Sequence, residues 1–247
     1  MKVVVSLTTI PTRFDKLEAV LPCLLEQACH EVWLNVPQRY NRFPDWDGKV
    51  PDFSKFGPKL IVNRDCEDMG PGTKFLGPAK HLSPEDLIVY VDDDTNYDPK
   101  LVMNLLKWWR TDTQSAWGLS GFNFETYFKS FFPRQHGVPL DVLEGYGSVL
   151  VKAGWVQKVE PEFKELLDVT WHDDMILCNL LEKEGISRKT VFVPDFNLGT
   201  AIRQFQYGFE SDALHHIAGE GGHMANNMKI LKNFEDKGKL YYKFKCW

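Results

Sequence analysis

The sequence predicts an α/β fold: a single domain with a mostly parallel central sheet flanked by helices. Three observations point there. Short β-branched runs alternate with segments of helical period through the first half of the chain. The most apolar run, Leu87-Ile88-Val89-Tyr90-Val91, is followed at once by three aspartates, and open α/β sheets bind ligands beyond the carboxyl ends of their strands. The 247 residues are 43% hydrophobic, enough to bury one substantial core, and no Pro-, Gly- and Ser-rich stretch divides them.

Taken in order, Lys2 to Leu7 is a β-branched run ending in polar turn residues and reads as the first strand. Asp15 with Glu18 forms a capping-box-like start to a helix whose face is Leu17, Val20, Leu21, Leu24 and Leu25, with a kink expected at Pro22. Glu31 to Val36 and Lys59 to Asn63 are the next strands, separated by an irregular loop. Gly70 to Gly72 makes a turn, and Thr73 opens a short helix to His81. Leu87 to Val91 is the most buried strand. Pro99 marks the start of a helix with Leu101, Val102, Leu105, Leu106 and Trp109 on its apolar face. Further strands are expected at Ala116 to Leu119, Ser148 to Val151 and Thr190 to Val193, with a helix from Asp173 to Lys183. About 1–98 forms one half, and about 99–247 a second, more mixed half with its C-terminal segment.

Composition removes several function classes. The net charge is −5 with no dense basic block, so nucleic acid is not the expected partner. Five cysteines, Cys23, Cys29, Cys66, Cys178 and Cys246, are scattered without the tight spacing of a structural zinc site, which suits a reducing, cytoplasmic setting. The opening apolar run is too short for a signal peptide, and no stretch approaches the roughly 18 apolar residues of a membrane span. The aromatic ending Tyr241 to Trp247 leaves two readings open, docking onto the core or the cut edge of a longer protein.

The chemistry concentrates at Asp92-Asp93-Asp94. Consecutive carboxylates repel, and a divalent cation with hard oxygen ligands, Mg²⁺ or Mn²⁺, offsets that repulsion. In an extended segment Asp92 and Asp94 project together and Asp93 opposite, so two carboxylates can grip a metal whose other face takes a diphosphate. The plainer alternative, a solvated acidic turn, is weakened by the long apolar strand that delivers the run.

Four segments then occur in order: Ser6-Leu7-Thr8-Thr9-Ile10-Pro11-Thr12-Arg13-Phe14, Gly70-Pro71-Gly72-Thr73-Lys74, Val91-Asp92-Asp93-Asp94 with Tyr97 and Pro99, and Trp171-His172-Asp173-Asp174. Over roughly residues 1–200 this set resembles GT-A-fold glycosyltransferases, in particular a group found in bacteria and in large DNA viruses of algae. The resemblance implies a nucleotide-binding half followed by an acceptor half. It implies a metal on Asp92 and Asp94 and nucleotide contacts from Thr8, Arg13, Lys74, Asp92 and Asp93. Each of those also has an ordinary reading: a turn for Thr8, a surface pair with Asp15 for Arg13, a surface position for Lys74.

Asp173 and Asp174 start a helix, where aspartates accept backbone N–H bonds and favour the macrodipole. The resemblance adds a general base, assigned to Asp174, with Asp173 as cap or acceptor contact. It also implies a late histidine on the metal. Of His215, His216 and His223, the last is preferred because Gly219-Glu220-Gly221-Gly222 gives it a flexible segment. Phe122, Phe124, Tyr127, Phe128, Phe131, Phe132 and Trp155 are either core or an acceptor lining. Gly145-Tyr146-Gly147 is either a turn or an acceptor and donor-sugar loop, with Tyr146 the acceptor contact.

The expected activity is therefore metal-dependent transfer of a sugar from a nucleoside diphosphate sugar, a UDP-sugar foremost, to a hydroxyl of a glycan or glycoprotein. The rivals are a Mg²⁺-dependent nucleotidyltransferase, which lacks its usual phosphate-cradling signature here, and a carbohydrate-binding or scaffold module with a structural cation.

Overall fold

The computed structural model describes residues 1–124, 135–192, 202–204 and 222–242, with side chains omitted at 202–204 and 222–225. Its centre is a seven-stranded sheet built from β1 (Val3–Thr8), β2 (Glu31–Asn35), β3 (Leu60–Asn63), β4 (Leu87–Tyr90), β6 (Ser115–Gly118), β9 (Val149–Lys152) and β10 (Ser187–Thr190). The order is β10-β6-β9-β4-β1-β2-β3. β9 pairs antiparallel with both β4 and β6, and the other pairings are parallel. Two small antiparallel pairs flank it: β5 (Thr95–Tyr97) with β11 (Ile202–Gln204), and β7 (Gly121–Phe122) with β8 (Val142–Leu143).

Side chains alternate across these strands, so each face collects its own core. Val3, Val5 and Leu7 of β1 join Leu87 and Val89 of β4 under α1 (Leu17–Leu25) and α3 (Leu101–Trp109). Val4, Ile88 and Tyr90 face the other way, under α2 (Thr73–Ala79), α4 (Ala153–Leu167) and α5 (Asp173–Lys183). Helices on both faces satisfy the demand of a mostly parallel sheet for cover on each side. The final described helix is α6 (Gly222–Asp236).

Most expected elements stand where the sequence puts them, with three corrections. Asp15 is not a helix cap: Pro11–Lys16 winds as a 3-10 helix, and α1 starts after Lys16 without a side-chain cap. The late strand lies at Ser187–Thr190, because Thr190 ends a run paired with β6 and does not start one. α4 has a helical apolar face in Val156, Val159, Phe163 and Leu166 that the strand-seeking reading passed over. Of the aromatic ending, Tyr241 and Tyr242 dock on α5: the Tyr241 N–H donates to Asn179 Oδ1 at 2.8 Å and Tyr242 Oη to the Met175 carbonyl at 2.9 Å.

A buried amide network fixes α2 over the carboxyl ends of β1, β2 and β3. Asn35 Nδ2 donates to Ser6 Oγ at 2.8 Å and to the Leu7 carbonyl at 2.9 Å. Asn63 Nδ2 donates to Asn35 Oδ1 at 2.9 Å and to the Gly77 carbonyl of α2 at 3.2 Å. Asn35→Ala strands these buried partners, so urea unfolding should show a loss of about 2–3 kcal/mol. An unchanged midpoint would mean that the network does not hold α2.

Candidate active site

The period of β4 decides where the acidic run points. Ile88 and Tyr90 face α2 and α5, and Asp92 continues on that side. Its Oδ1 takes the Lys74 ammonium at 2.7 Å. Asp93 falls on the opposite side, where Thr9 Oγ1 donates to it at 2.6 Å and Arg13 Nη1 pairs with it at 2.9 Å. Asp93 and Asp94 form a turn before β5, so alternation stops there and Asp94 does not return to the side of Asp92. Instead Asp94 lies 3.5 Å from Arg13 and accepts from Thr95 Oγ1 at 3.1 Å. The expectation that Asp92 and Asp94 project together rested on an extended segment, and the turn removes that premise. Asp92 is the open member, with 31% side-chain exposure against 9% and 10% for Asp93 and Asp94.

Lys74 sits at the centre of the second cluster. Its side chain is only 4% exposed, and the ammonium lies 2.7 Å from Asp92 and 3.1 Å from Asp173. Burial disfavours its charge, but Asp173, Asp92 and Asp174 more than reverse this and hold its pKa well above that of an ordinary lysine. Gly145 leaves room for the ammonium: a Cβ there would stand 2.6 Å from Nζ. The turn that delivers Lys74 is itself shaped around the other motif. Gly70 has φ +56°, and a Cβ on it would meet Trp171 at 2.3 Å, so the segments Gly70–Lys74 and Trp171–Asp174 pack against each other.

Asp173 and Asp174 open α5 and are both buried. The Gly145 N–H donates to Asp174 Oδ2 at 3.0 Å, whereas Asp174 Oδ1 has no hydrogen-bond partner. Burial, and after it the charge of Asp173, pushes the Asp174 carboxyl well above the usual carboxylate range, although Lys74 and the Gly145 N–H pull the other way. Tyr97 ties the acidic turn to the glycine loop: its hydroxyl accepts the Asp92 N–H at 3.0 Å and donates to the Tyr146 carbonyl at 3.1 Å.

The other expected residues are dispersed. Thr8 ends β1 and donates through Oγ1 to the Asn35 carbonyl at 2.9 Å. Arg13 pairs with Asp93 and Asp94. Gly222 and His223 lie in the first turn of α6 and not in a loop; the His223 side chain, His215 and His216 lie outside the described residues. Phe122 is buried in the core, with Phe124 and Trp155 partly buried against it; Tyr127, Phe128, Phe131 and Phe132 lie outside the described residues. Sequence reasoning missed Thr9, although it adjoins Thr8, and the Gly145–Asp174 bond, for which no local signal exists. Among the described residues no group of three or more His, Cys, Asp or Glu side chains is arranged to hold a metal ion, and no helix is long and apolar enough to cross a membrane.

No protein-family model and no curated protein sequence matches the chain. Among solved structures it is similar to S. aureus TarS residues 1–349, with a TM-score of 0.52, 10% identity, and coverage of 95% of this chain and 71% of that one. It also aligns with Francisella tularensis 2-C-methyl-D-erythritol 4-phosphate cytidylyltransferase (IspD) at a TM-score of 0.47 and 10% identity, covering 79% of this chain and 91% of that one. At such identity the likeness to TarS concerns the fold alone. That fold is α/β and GT-A-like, a seven-stranded, mostly parallel sheet flanked by helices.

Because the folded protein raises the Asp174 pKa, it binds this proton more tightly than the unfolded chain does. The group's contribution to stability is then full below the ordinary carboxylate pKa and is lost as pH rises towards the folded value. Asp174→Asn should therefore raise Tm at pH 7 by about 2–4 °C, the equivalent of about 1 kcal/mol, and flatten the decline above pH 4. A lower Tm with an unchanged pH profile would contradict this assignment.

Proposed function

We propose that this chain is a divalent-metal-dependent glycosyltransferase, moving a sugar from a nucleoside diphosphate sugar, a UDP-sugar foremost, to a hydroxyl of a glycan or glycoprotein acceptor. The observation that carries the reading is the convergence of Asp92, from the end of β4, and Asp173 and Asp174, from the start of α5, around Lys74 beside the Gly145–Gly147 loop. The order of the four segments, which resembles that of GT-A-fold glycosyltransferases, supports the same reading. The residues fit Mg²⁺ or Mn²⁺: they offer hard carboxylate oxygens, and such ions are commonly held by one or two carboxylates with substrate phosphates supplying the rest.

Asp92, the open member of the run, would hold the metal, with Asp94 joining it only on turning from Arg13, and the metal would neutralise charge building on the diphosphate leaving group. Arg13 and Thr9 fix Asp93 and so brace the turn that presents Asp92. Asp174 is the proposed base. Its unpartnered Oδ1 has an acceptor's lone pairs to offer, and because burial and Asp173 hold its pKa above the usual carboxylate range, the ionised group is a stronger base than an ordinary aspartate. Tyr146 and Asp173 are the proposed acceptor contacts, Thr8 and Arg13 border the proposed nucleotide seat, and His223 is a further metal ligand in this reading.

Nucleoside diphosphates and nucleotide sugars titrated by calorimetry, with and without Mn²⁺, test the reading on the native protein and on Asp92→Ala and Asp94→Ala. Metal-dependent binding of one nucleotide, lost in both variants, is expected. With donor and acceptor in hand, Asp174→Asn should lower kcat by about 10²–10⁴-fold while leaving donor binding in place. A folded protein that binds no nucleotide at any metal concentration would return the cluster to a structural role. Release of pyrophosphate from a nucleoside triphosphate would instead select the nucleotidyltransferase alternative.

A further inference from the structure

Lys74 was expected either among the nucleotide contacts or on the surface, yet its ammonium is turned inwards. It lies 2.7 Å from Asp92 and 3.1 Å from Asp173, with a side chain only 4% exposed. It cannot swing aside easily: the Tyr90 ring lies over it at 5.5 Å, and the Gly145 backbone closes so near that a Cβ there would stand 2.6 Å from Nζ. The charge is therefore a fixed part of the cleft floor, set against the one acid of the run that is open to solvent.

We propose that Lys74 makes this cleft selective for a metal already complexed to a diphosphate, by holding a permanent positive charge against Asp92 that repels a bare dication. A bare Mn²⁺ approaching Asp92 meets a carboxylate whose Oδ1 is engaged by the ammonium. Lys74 offsets one of the negative charges of Asp92 and Asp173 that would otherwise draw a dication in, in surroundings where its repulsion is weakly screened. A metal–diphosphate complex has a net negative charge and suffers no such repulsion. Lys74 is thus a positioning residue, acting on the metal through Asp92 and not by touching the nucleotide. The inference rests on the metal-dependent reading of this site, but it makes a separate claim.

Binding of Mn²⁺ alone, followed by the electron paramagnetic resonance of the free ion, tests it on the native protein and on Lys74→Met. The expected result is weak binding to the native protein and binding at least about tenfold tighter in Lys74→Met. A residue with a merely structural role would leave the affinity unchanged or lower it when lost. If Lys74→Met does not fold, the charge-balanced K74M/D173N variant is compared with D173N: tighter Mn²⁺ binding in the double variant supports the proposal, and equal or weaker binding overturns it. The same titrations with UDP present separate this claim from the transferase reading. Tighter free Mn²⁺ binding with no UDP binding in any variant would sink the transferase and keep the charge effect. UDP–Mn²⁺ binding with free Mn²⁺ affinity unmoved by Lys74→Met would do the reverse.

Discussion

A lysine ammonium withdrawn from water sets the terms for everything around it. Desolvating an ion costs several kcal/mol, and a carboxylate about 4 Å away returns about 4 kcal/mol at the effective dielectric of a protein. One partner therefore roughly breaks even, and Lys74 has two within 3.1 Å, with Asp174 close behind. Asp92 reaches it from the end of β4 and Asp173 from the start of α5, segments 81 residues apart in the chain. The ion pair thus ties together the two strongest acidic motifs of the sequence. Its geometry leans in turn on the Asn35–Asn63 network that seats α2, and on Asn179 and Tyr242, which seat α5.

Such a cluster does little for net stability, since buried ion pairs seldom outperform apolar packing. It adds geometric definition where the chain needs it. Asp174 shows the tension most directly: it is buried, like-charged neighbours crowd it, and one carboxylate oxygen lacks a partner. Polar groups held under strain of this kind gather where chemistry is done, and the rest of the fold supplies the stability that they forgo.

The fold was legible because its signals are local and periodic. β1, β2, β3 and β4 each announce themselves as short β-branched runs, and α5 was bounded to the residue, Asp173–Lys183. Strand period also explains why Asp92 and Asp93 part company. What was not legible depends on contacts distant in sequence. Whether Lys74 faces solvent or Asp173 is settled by how the Gly70 turn packs under Trp171, and nothing near Lys74 in the chain encodes that. Asp94 was misjudged for a local reason, a turn that begins two residues earlier than an extended reading allows. The GT-A-like fold is thus secured by its sheet, whereas the chemistry is read from the side chains at its carboxyl edge.

The ion pair across the two motifs is tested most directly by a double-mutant cycle, with Lys74→Met, Asp173→Asn and the double variant unfolded in urea at pH 7. Lys74→Met leaves Asp173 buried without its counter-charge and should cost about 3–5 kcal/mol, whereas Asp173→Asn should cost less because Asp92 still pairs with the ammonium. The double variant should lose much less than the sum, a coupling of about 2 kcal/mol or more. Losses that add within about 0.5 kcal/mol would mean that Lys74 and Asp173 do not depend on each other, and the cluster would not be what joins β4 to α5.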